Sequence, residues 1–168
     1  IWEPFSIRFS DNLYAISRNL YKNLYGNKVI FEEVNHDLQI TYRYQWNSSN
    51  KFGFVRKSEL INHSNNNYQI ELVDGIQNIM PYGVSSDLQN AASNLVDAYK
   101  RSELHQESGL GIFALSAIIV DKAEPSEALK SNIVWSTGLQ NPNYLLSSLQ
   151  LSKFRKKQNV VAENDIKG

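Results

Sequence analysis

The chain has 168 residues, equal numbers of acidic and basic side chains and no cysteine. Its length suits one domain that buries roughly 70% of its unfolded surface, and its apolar (42%) and charged (20%) fractions are those of a globular protein. Zero net charge excludes global steering towards nucleic acid or an anionic membrane but leaves local basic patches open, and the missing cysteine excludes disulfides, thiolate catalysis and zinc–thiolate sites.

The first part of the chain carries mainly strand patterns. Strands are predicted at 5–9 and 28–35, whereas 10–28 is ambiguous because its leucines have helical spacing and its tyrosines favour strands. Residues 38–46 alternate between apolar and polar side chains, which predicts a strand with one aromatic face. That face comprises Leu38, Ile40, Tyr42, Tyr44 and Trp46. Another extended run is predicted at 52–62.

One helix has clear start and stop signals. Ser86 and Gln89 have the spacing of a capping box, in which the Ser86 hydroxyl accepts from the backbone at the helix start. Apolar residues at helical spacing follow, and Gly109 is a typical helix terminator. These signals predict one helix over 86–107.

The remaining pattern is again β. Residues 68–73, 111–121 and 131–138 are predicted strands, with a turn around Pro125. Residues 143–154 suit a helix and a strand equally well. Several strands joined by short turns around one helix predict a mainly β fold, an antiparallel β-sandwich with an inserted helix, and not a doubly wound parallel sheet.

The chain begins at Ile1 rather than methionine and closes with the polar stretch 158–168. We expect a single domain over 1–168, either an excerpt of a longer protein or a complete domain trimmed at its ends, with 158–168 as a flexible tail. No stretch approaches the ~20 apolar residues of a membrane span, and no signal peptide is visible in this segment. The location stays unknown, although a cytoplasmic one is favoured, and neither nucleic acid nor a membrane is expected as partner.

No catalytic motif is present, but carboxylates offer candidates. Glu32 and Glu33 are consecutive on a predicted strand and should point to opposite faces, one outward and one inward or at an edge. Glu124 and Glu127 flank the turn around Pro125. Glycoside cleavage needs two carboxylates about 5–5.5 Å or 6.5–9.5 Å apart. Surface charge or hydrogen bonding in a turn is the simpler role for all four.

The three histidines, His36, His63 and His105, lie in different elements without metal-ligand spacing. A solvated surface histidine is the simpler interpretation for each. Folding could instead bring two of them to a carboxylate, as the acid–base exchange of an aldose epimerase requires. No metal or cofactor is expected.

Aromatic residues are the other candidates, because sugar rings stack on Trp and Tyr while Arg, Asn, Gln and Asp bind the hydroxyls. The candidate carbohydrate-binding residues are Trp46, Tyr44, Arg43 and Arg56. A sandwich core also needs aromatic side chains, so Tyr42 and Tyr44 fit the core as well. Trp46, at a strand end beside a polar loop, stays open between core and ligand platform.

Several stretches together resemble the N-terminal β-super-sandwich region of the cellobiose-phosphorylase-like bacterial proteins, formerly called glycosyltransferase-36-like. The resemblance covers roughly residues 18–157 and is one of pattern rather than of a catalytic motif. The stretches are KVIFEEVNHDLQITYRYQW, FGFVRKSELIN, VDGIQNIMPYG, SNLVDAYK, and AEPSEAL followed by VW.

The resemblance implies a galactose-mutarotase-like sandwich that shapes the substrate pocket of an (α/α)₆ barrel, which carries the catalytic acid, and that often takes part in a homodimer. Nothing in the chain resembles the barrel, so no catalytic residue is carried over. The helix over 86–107 departs from the family pattern. We expect a non-catalytic carbohydrate-binding, substrate-positioning domain of a glycoside phosphorylase or hydrolase that takes an oligosaccharide. The alternatives are a stand-alone carbohydrate-binding module and a small mutarotase or epimerase-like enzyme.

Overall fold

The computed structural model describes residues 1–7, 13–119 and 128–163, and the backbone of 165–167. The chain forms two compact units, Ile1–Glu71 and Leu72–Gly168. Each unit contains one antiparallel sheet, and helices are few and short. This confirms the predicted mainly β, antiparallel fold class, whereas the prediction of a single domain stays a prediction.

The first unit contains a four-stranded meander, called here the first sheet. Its strands are β1 (Ile16–Lys22), β2 (Lys28–Asn35), β3 (Ile40–Ser49) and β4 (Gly53–Asn62), and their order in the sheet is the order in the chain. The prediction for β2 is confirmed, and those for β3 and β4 are confirmed with small shifts at their ends. The ambiguous stretch 10–28 contains β1, because pairing with β2 along its whole length decides for a strand.

The strand register separates the first sheet into two faces, because directly paired residues of antiparallel strands share a face. Tyr44 pairs with Phe31 and Ser58, and Arg43 pairs with Glu32 and Glu59. The first set lies on what is called here the aromatic face, with Arg18, Glu33, Tyr42, Trp46 and Arg56. The second set lies on the polar face, with Asn19, Tyr21, Ile30, Gln45 and Lys57.

The N-terminal segment 1–7 lies against the aromatic face. The Phe5 ring meets Tyr44 edge-on at a centroid distance of 5.3 Å and Phe31 at 6.3 Å. Phe5 has a φ of 63°, in the left-handed region that non-glycine residues rarely adopt. The predicted strand at 5–9 is wrong for residues 5–7, which cover the sheet instead of joining it, and residues 8–9 lie outside the described ranges.

The second unit contains two helices, a sheet and a third helix. The helices are α1 (Ser86–Ala91), α2 (Ser93–Tyr99) and α3 (Ser148–Arg155), and the strands are β5 (Lys100–His105), β6 (Leu110–Leu115), β7 (Ser131–Val134) and β8 (Asp165–Lys167). The strand order in this sheet is β7-β6-β5-β8. Its buried apolar residues include Val96, Leu104, Phe113 and Leu115. Within the described part of the chain, no helix is long and apolar enough to cross a membrane.

The helix predicted over 86–107 is shorter and interrupted. Ser85, not Ser86, is its N-cap and accepts from the Leu88 amide. Helical structure is broken at Ala92 and ends at Tyr99. Residues 100–105 form β5 because pairing with β6 buries Ser102 and Leu104 on one face of the sheet, which a continued helix could not do.

Four other predictions change. The strand predicted at 131–138 ends at Val134. Residues 68–73 alternate but form no strand, because Tyr68, Ile70 and Leu72 are exposed and, among the described residues, no strand pairs with this stretch. The strand predicted at 111–121 ends at Leu115, and its residues 120–121 lie outside the described ranges. The stretch 158–168, predicted as a tail, includes β8, which pairs with β5. The turn around Pro125, with Glu124 and Glu127, lies outside the described residues.

The undecided stretch 143–154 contains α3. Ser147 and Gln150 form a capping box at its start, since each side chain bonds the other residue's backbone. Gln150 is buried, and its side-chain amide also donates to the Val161 carbonyl at 2.5 Å. One side chain therefore caps the helix and holds the segment that follows it.

Candidate functional site

The first sheet contains two adjacent buried carboxylates. Glu32 is 4% exposed and Glu33 is 1% exposed. They point to opposite faces, as predicted, but the prediction that one points outward is wrong. Each is compensated by an arginine on the neighbouring strand, Arg43 for Glu32 and Arg18 for Glu33, as burial of a charge requires.

Glu33 on the aromatic face is enclosed by three donors. The Trp2 indole N–H donates to Oε1 at 2.7 Å, while the Phe5 amide (2.7 Å) and Arg18 Nε (2.8 Å) donate to Oε2. Two of these donors belong to the N-terminal segment, so Glu33 fixes that segment to the sheet. The cleft beside it has a volume of only about 10 Å³, which is barely room for one water molecule.

Glu32 on the polar face is also fully bonded. It accepts from Asn19 Nδ2 at 2.8 Å, from the Tyr21 hydroxyl at 3.0 Å and from Arg43 Nε. Burial favours a higher pKa for Glu32, but the hydrogen bonds from Asn19, Arg43 and Tyr21 and the positive charge of Arg43 outweigh it and hold the pKa below its usual value. The hydrogen bond to Glu32, with burial and the nearby negative charge, raises the pKa of Tyr21.

The polar face carries an open groove next to this ion pair. Its volume is about 350 Å³, within the range of about 300–1,000 Å³ that is usual for small-molecule sites. The residues that line it are Tyr21, Ile30, Arg43, Tyr44, Gln45, Lys57 and Glu59.

The groove offers both donors and acceptors. Arg43 Nε is held by the buried Glu32, and within the described part of the chain its two terminal nitrogens make no hydrogen bond, while 43% of the side chain is exposed. Lys57 and Glu59, two residues apart on β4, form an ion pair in the lining of the groove. The side-chain amide of Gln45 also lines the groove and makes no hydrogen bond to any described residue. A fixed guanidinium beside free amide and charged groups suits a neutral ligand rich in hydroxyl groups.

Two of the predicted site residues are packed into the aromatic face. Tyr44 stacks on Phe31 at 4.8 Å, and the Arg56 guanidinium lies 4.8 Å from the Tyr44 ring centroid. Because β2 and β4 flank β3, these two neighbours cover Tyr44 from opposite sides. Arg56 also donates to the Tyr42 hydroxyl at 2.7 Å and to Ser58 Oγ at 2.8 Å. The Tyr44 ring therefore has no face free for a sugar.

The other two predicted residues are on opposite faces. Trp46 is half-buried at the end of the aromatic face, paired in register with Val29 and Arg56. Arg43 is on the polar face and lines the groove. The structure therefore brings Arg43 and Tyr44 to the lining of the groove, but not Trp46 and Arg56. The predicted roles of all four residues in binding stay predictions.

Sequence reasoning missed most of the groove. Tyr21, Gln45, Lys57 and Glu59 come from three strands and become neighbours only through the register. The available signal was the polar half of the alternation in 38–46, which includes Arg43 and Gln45. Aligning Arg43 and Gln45 with Glu59 and Lys57 on the flanking strand β4 would have indicated the site.

Each histidine bonds a hydroxyl group rather than a carboxylate. His36 Nε2 lies 2.7 Å from Ser17 Oγ, His63 Nε2 lies 2.9 Å from Thr41 Oγ1, and His105 Nδ1 lies 2.8 Å from Ser108 Oγ. Across the described ranges, no group of three or more histidines and carboxylates could hold a metal ion.

Comparison with known proteins adds no assignment. No family model matches the chain, and no curated protein matches it. The resemblance to the cellobiose-phosphorylase-like family therefore stays a prediction, and function rests on the geometry of the first sheet.

Proposed function

We propose that the chain is a non-catalytic carbohydrate-binding, substrate-positioning β domain of a carbohydrate-active enzyme of the glycoside phosphorylase or hydrolase type. The observation that carries the proposal is the groove on the polar face, in which buried Glu32 orients Arg43 towards an opening of about 350 Å³. Through the family resemblance, the proposal also includes an oligosaccharide ligand, a catalytic (α/α)₆ domain in the same protein and a homodimer.

The chemistry of the groove fits a sugar. Sugar hydroxyls both donate and accept, and the groove presents Arg43 and Lys57 as donors, Glu59 as an acceptor and Gln45 as both. The partly exposed ring of Tyr21 offers an apolar wall for the C–H face of a pyranose. The two cations and the carboxylates Glu32 and Glu59 cancel in charge, which favours a neutral glycan over an anionic one.

The buried carboxylates support a binding role rather than acid–base catalysis. A general acid needs a raised pKa, whereas the pKa of Glu32 is lowered. Glu32 accepts hydrogen bonds from three side chains. Glu33 accepts hydrogen bonds from two side chains and one backbone amide. Both carboxylates therefore stabilise the sheet. Glu32 also orients Arg43, the arginine that contacts the ligand.

The proposal is tested by titrating the full chain with neutral β-linked gluco-oligosaccharides in calorimetry. Arg43→Gln should weaken binding by about 10- to 100-fold, as expected for loss of charged hydrogen bonds. Gln45→Ala should weaken it by about 3- to 10-fold without loss of stability, because Gln45 bonds no protein group in the described ranges. Arg101→Gln is the matched control, since Arg101 forms an exposed ion pair with Glu103 in the second unit.

Absence of binding by any saccharide in the panel would contradict the proposal, as would binding that Arg43→Gln and Gln45→Ala leave unchanged. A stand-alone carbohydrate-binding module would use the same groove. The intact mass of the protein in its source cell separates the two, because an enzyme domain belongs to a chain several hundred residues longer. A mass near 19.2 kDa supports the stand-alone module.

A further inference from the structure

One end of the first sheet carries two hairpin turns. Antiparallel pairing places residues 23–27, between β1 and β2, and residues 50–52, between β3 and β4, at the same end of the meander. This end is called here the hairpin end and is defined as residues 22–28 and 47–57. Lys57, at the boundary of this range, also lines the groove of the polar face, which extends further along the strands.

Large apolar side chains protrude at the hairpin end. Leu24 and Tyr25 are 101% and 90% exposed, and Phe54 is 82% exposed, with Phe52 half-exposed beside it. Apolar side chains this exposed contribute almost nothing to folding. Several of them at one end of a sheet indicate a surface that contacts something else.

The charge of the hairpin end is strongly one-sided. Residues 22–28 and 47–57 contain five cations and no aspartate or glutamate. Arg56 is used in packing and Lys57 pairs with Glu59. Lys22, Lys28 and Lys51 are exposed and form no ion pair with any described residue. The Lys51 ammonium lies 5.3 Å from the Phe52 ring centroid, so cationic and aromatic groups are adjacent.

We propose that the hairpin end docks on an anionic lipid bilayer, with Leu24, Tyr25, Phe52 and Phe54 entering the interface and the three lysines contacting lipid phosphates. Lysines near an anionic membrane gain free energy individually, and apolar side chains add to this by burial. Protruding side chains suit a soft interface, whereas a rigid protein partner would need a matching pocket for each. Charge that cancels over the whole chain does not cancel here, so this proposal departs from the expectation of no membrane partner.

The test is co-sedimentation of the full chain with phosphatidylcholine vesicles that contain or lack phosphatidylglycerol. Binding is expected only to the anionic vesicles and should weaken as salt rises. The triple variant Lys22→Gln, Lys28→Gln, Lys51→Gln should lose about fivefold in affinity for each lysine, which is about 100-fold in total. The matched control removes three exposed lysines elsewhere, by Lys153→Gln, Lys156→Gln and Lys157→Gln.

The apolar half of the proposal is tested by Leu24→Ser with Phe54→Ser. Both side chains are highly exposed, so the fold should be unaffected, which circular dichroism checks. The expected loss of vesicle affinity is about tenfold.

Failure to bind anionic vesicles would overturn the proposal, and so would an equal loss in the control triple variant. Unchanged binding by the Leu24→Ser, Phe54→Ser variant would reduce the contact to surface charge and overturn insertion. Binding to an acidic protein in place of the vesicles would assign the surface to a protein partner and overturn the lipid assignment. Saccharide binding by the groove is a separate measurement, so the two proposals fail independently.

Discussion

Each face of the first sheet carries a carboxylate–arginine ion pair, but the two pairs have different surroundings. Glu33 pairs with Arg18 and Glu32 pairs with Arg43, and the two glutamates are adjacent in sequence. On the aromatic face, segment 1–7 covers the pair and leaves a cleft of about 10 Å³. On the polar face, the described residues of the first unit leave a groove of about 350 Å³ beside the other pair. The two buried carboxylates therefore differ in their surroundings, a covering segment for Glu33 and an open groove for Glu32.

The largest expected effect comes from removing each arginine. Arg18→Ala leaves Glu33 buried under segment 1–7 without its cation, and should lower the free energy of unfolding by about 3 kcal/mol. Arg43→Ala leaves Glu32 beside the groove, where water can replace the lost donor, and should cost about 1 kcal/mol. Denaturant unfolding of both variants measures the difference. Equal losses would show that the two faces are energetically alike.

Removing the aromatic cover should have the next largest effect. Phe5→Ala deletes the ring that packs on Phe31 and Tyr44, and should cost about 2 kcal/mol of unfolding free energy. Phe54→Ala is the matched control, because Phe54 is in the same sheet but highly exposed, and should stay within about 0.5 kcal/mol of the unmodified chain. A comparable loss in both variants would contradict a covered aromatic face.

Single donors sharpen the comparison further. Trp2→Phe removes the indole N–H that bonds Glu33 and should cost about 1 kcal/mol, because the cleft of about 10 Å³ beside this carboxylate has barely room for a replacing water. Asn19→Ala removes one donor from Glu32 and should cost about half as much, since the groove admits water. Thermal unfolding measures both, and a larger loss for Asn19→Ala would reverse the assignment of open and closed faces.

The smallest effect concerns pH. Because the pKa of Glu32 is lowered in the folded chain, its ionised form contributes stability above the unfolded value of about 4.3. That contribution is lost as pH falls through the lower folded pKa. Glu32→Gln should therefore be less stable than the unmodified chain at neutral pH, and the difference should shrink on acidification below about pH 4. A pH series of unfolding free energies measures this, and a constant difference would show that ionisation of Glu32 is not involved.

Alternation predicted the strands well where neighbours in sequence are neighbours in the sheet. β2 and β3 follow from side-chain types alone, and the shared face of Tyr42, Tyr44 and Trp46 follows from the two-residue period. The same reasoning fails at Tyr99, where α2 passes directly into β5 without a glycine or proline to mark the change. Pairing with β6 decides that boundary, and the local sequence around Tyr99 does not indicate this pairing.

The site was less predictable than the fold. Glu33 is enclosed by segment 1–7, which includes the left-handed backbone of Phe5 that no local pattern indicates. Glu32 is surrounded instead by side chains of β1 and β3, which only the strand register brings together. The groove needs the alignment of β1, β3 and β4, so Gln45 and Lys57 could not be joined from their own sequence neighbourhoods.

The sequential order of the meander has a consequence for folding. Each strand of the first sheet pairs with the strand next to it in the chain, so short hairpins can close one after another without long loops. Segment 1–7 must instead reach Glu33 across 28 and 31 residues. We therefore expect the groove of the polar face to assemble with the hairpins, and the cover of the aromatic face to close last and to open first.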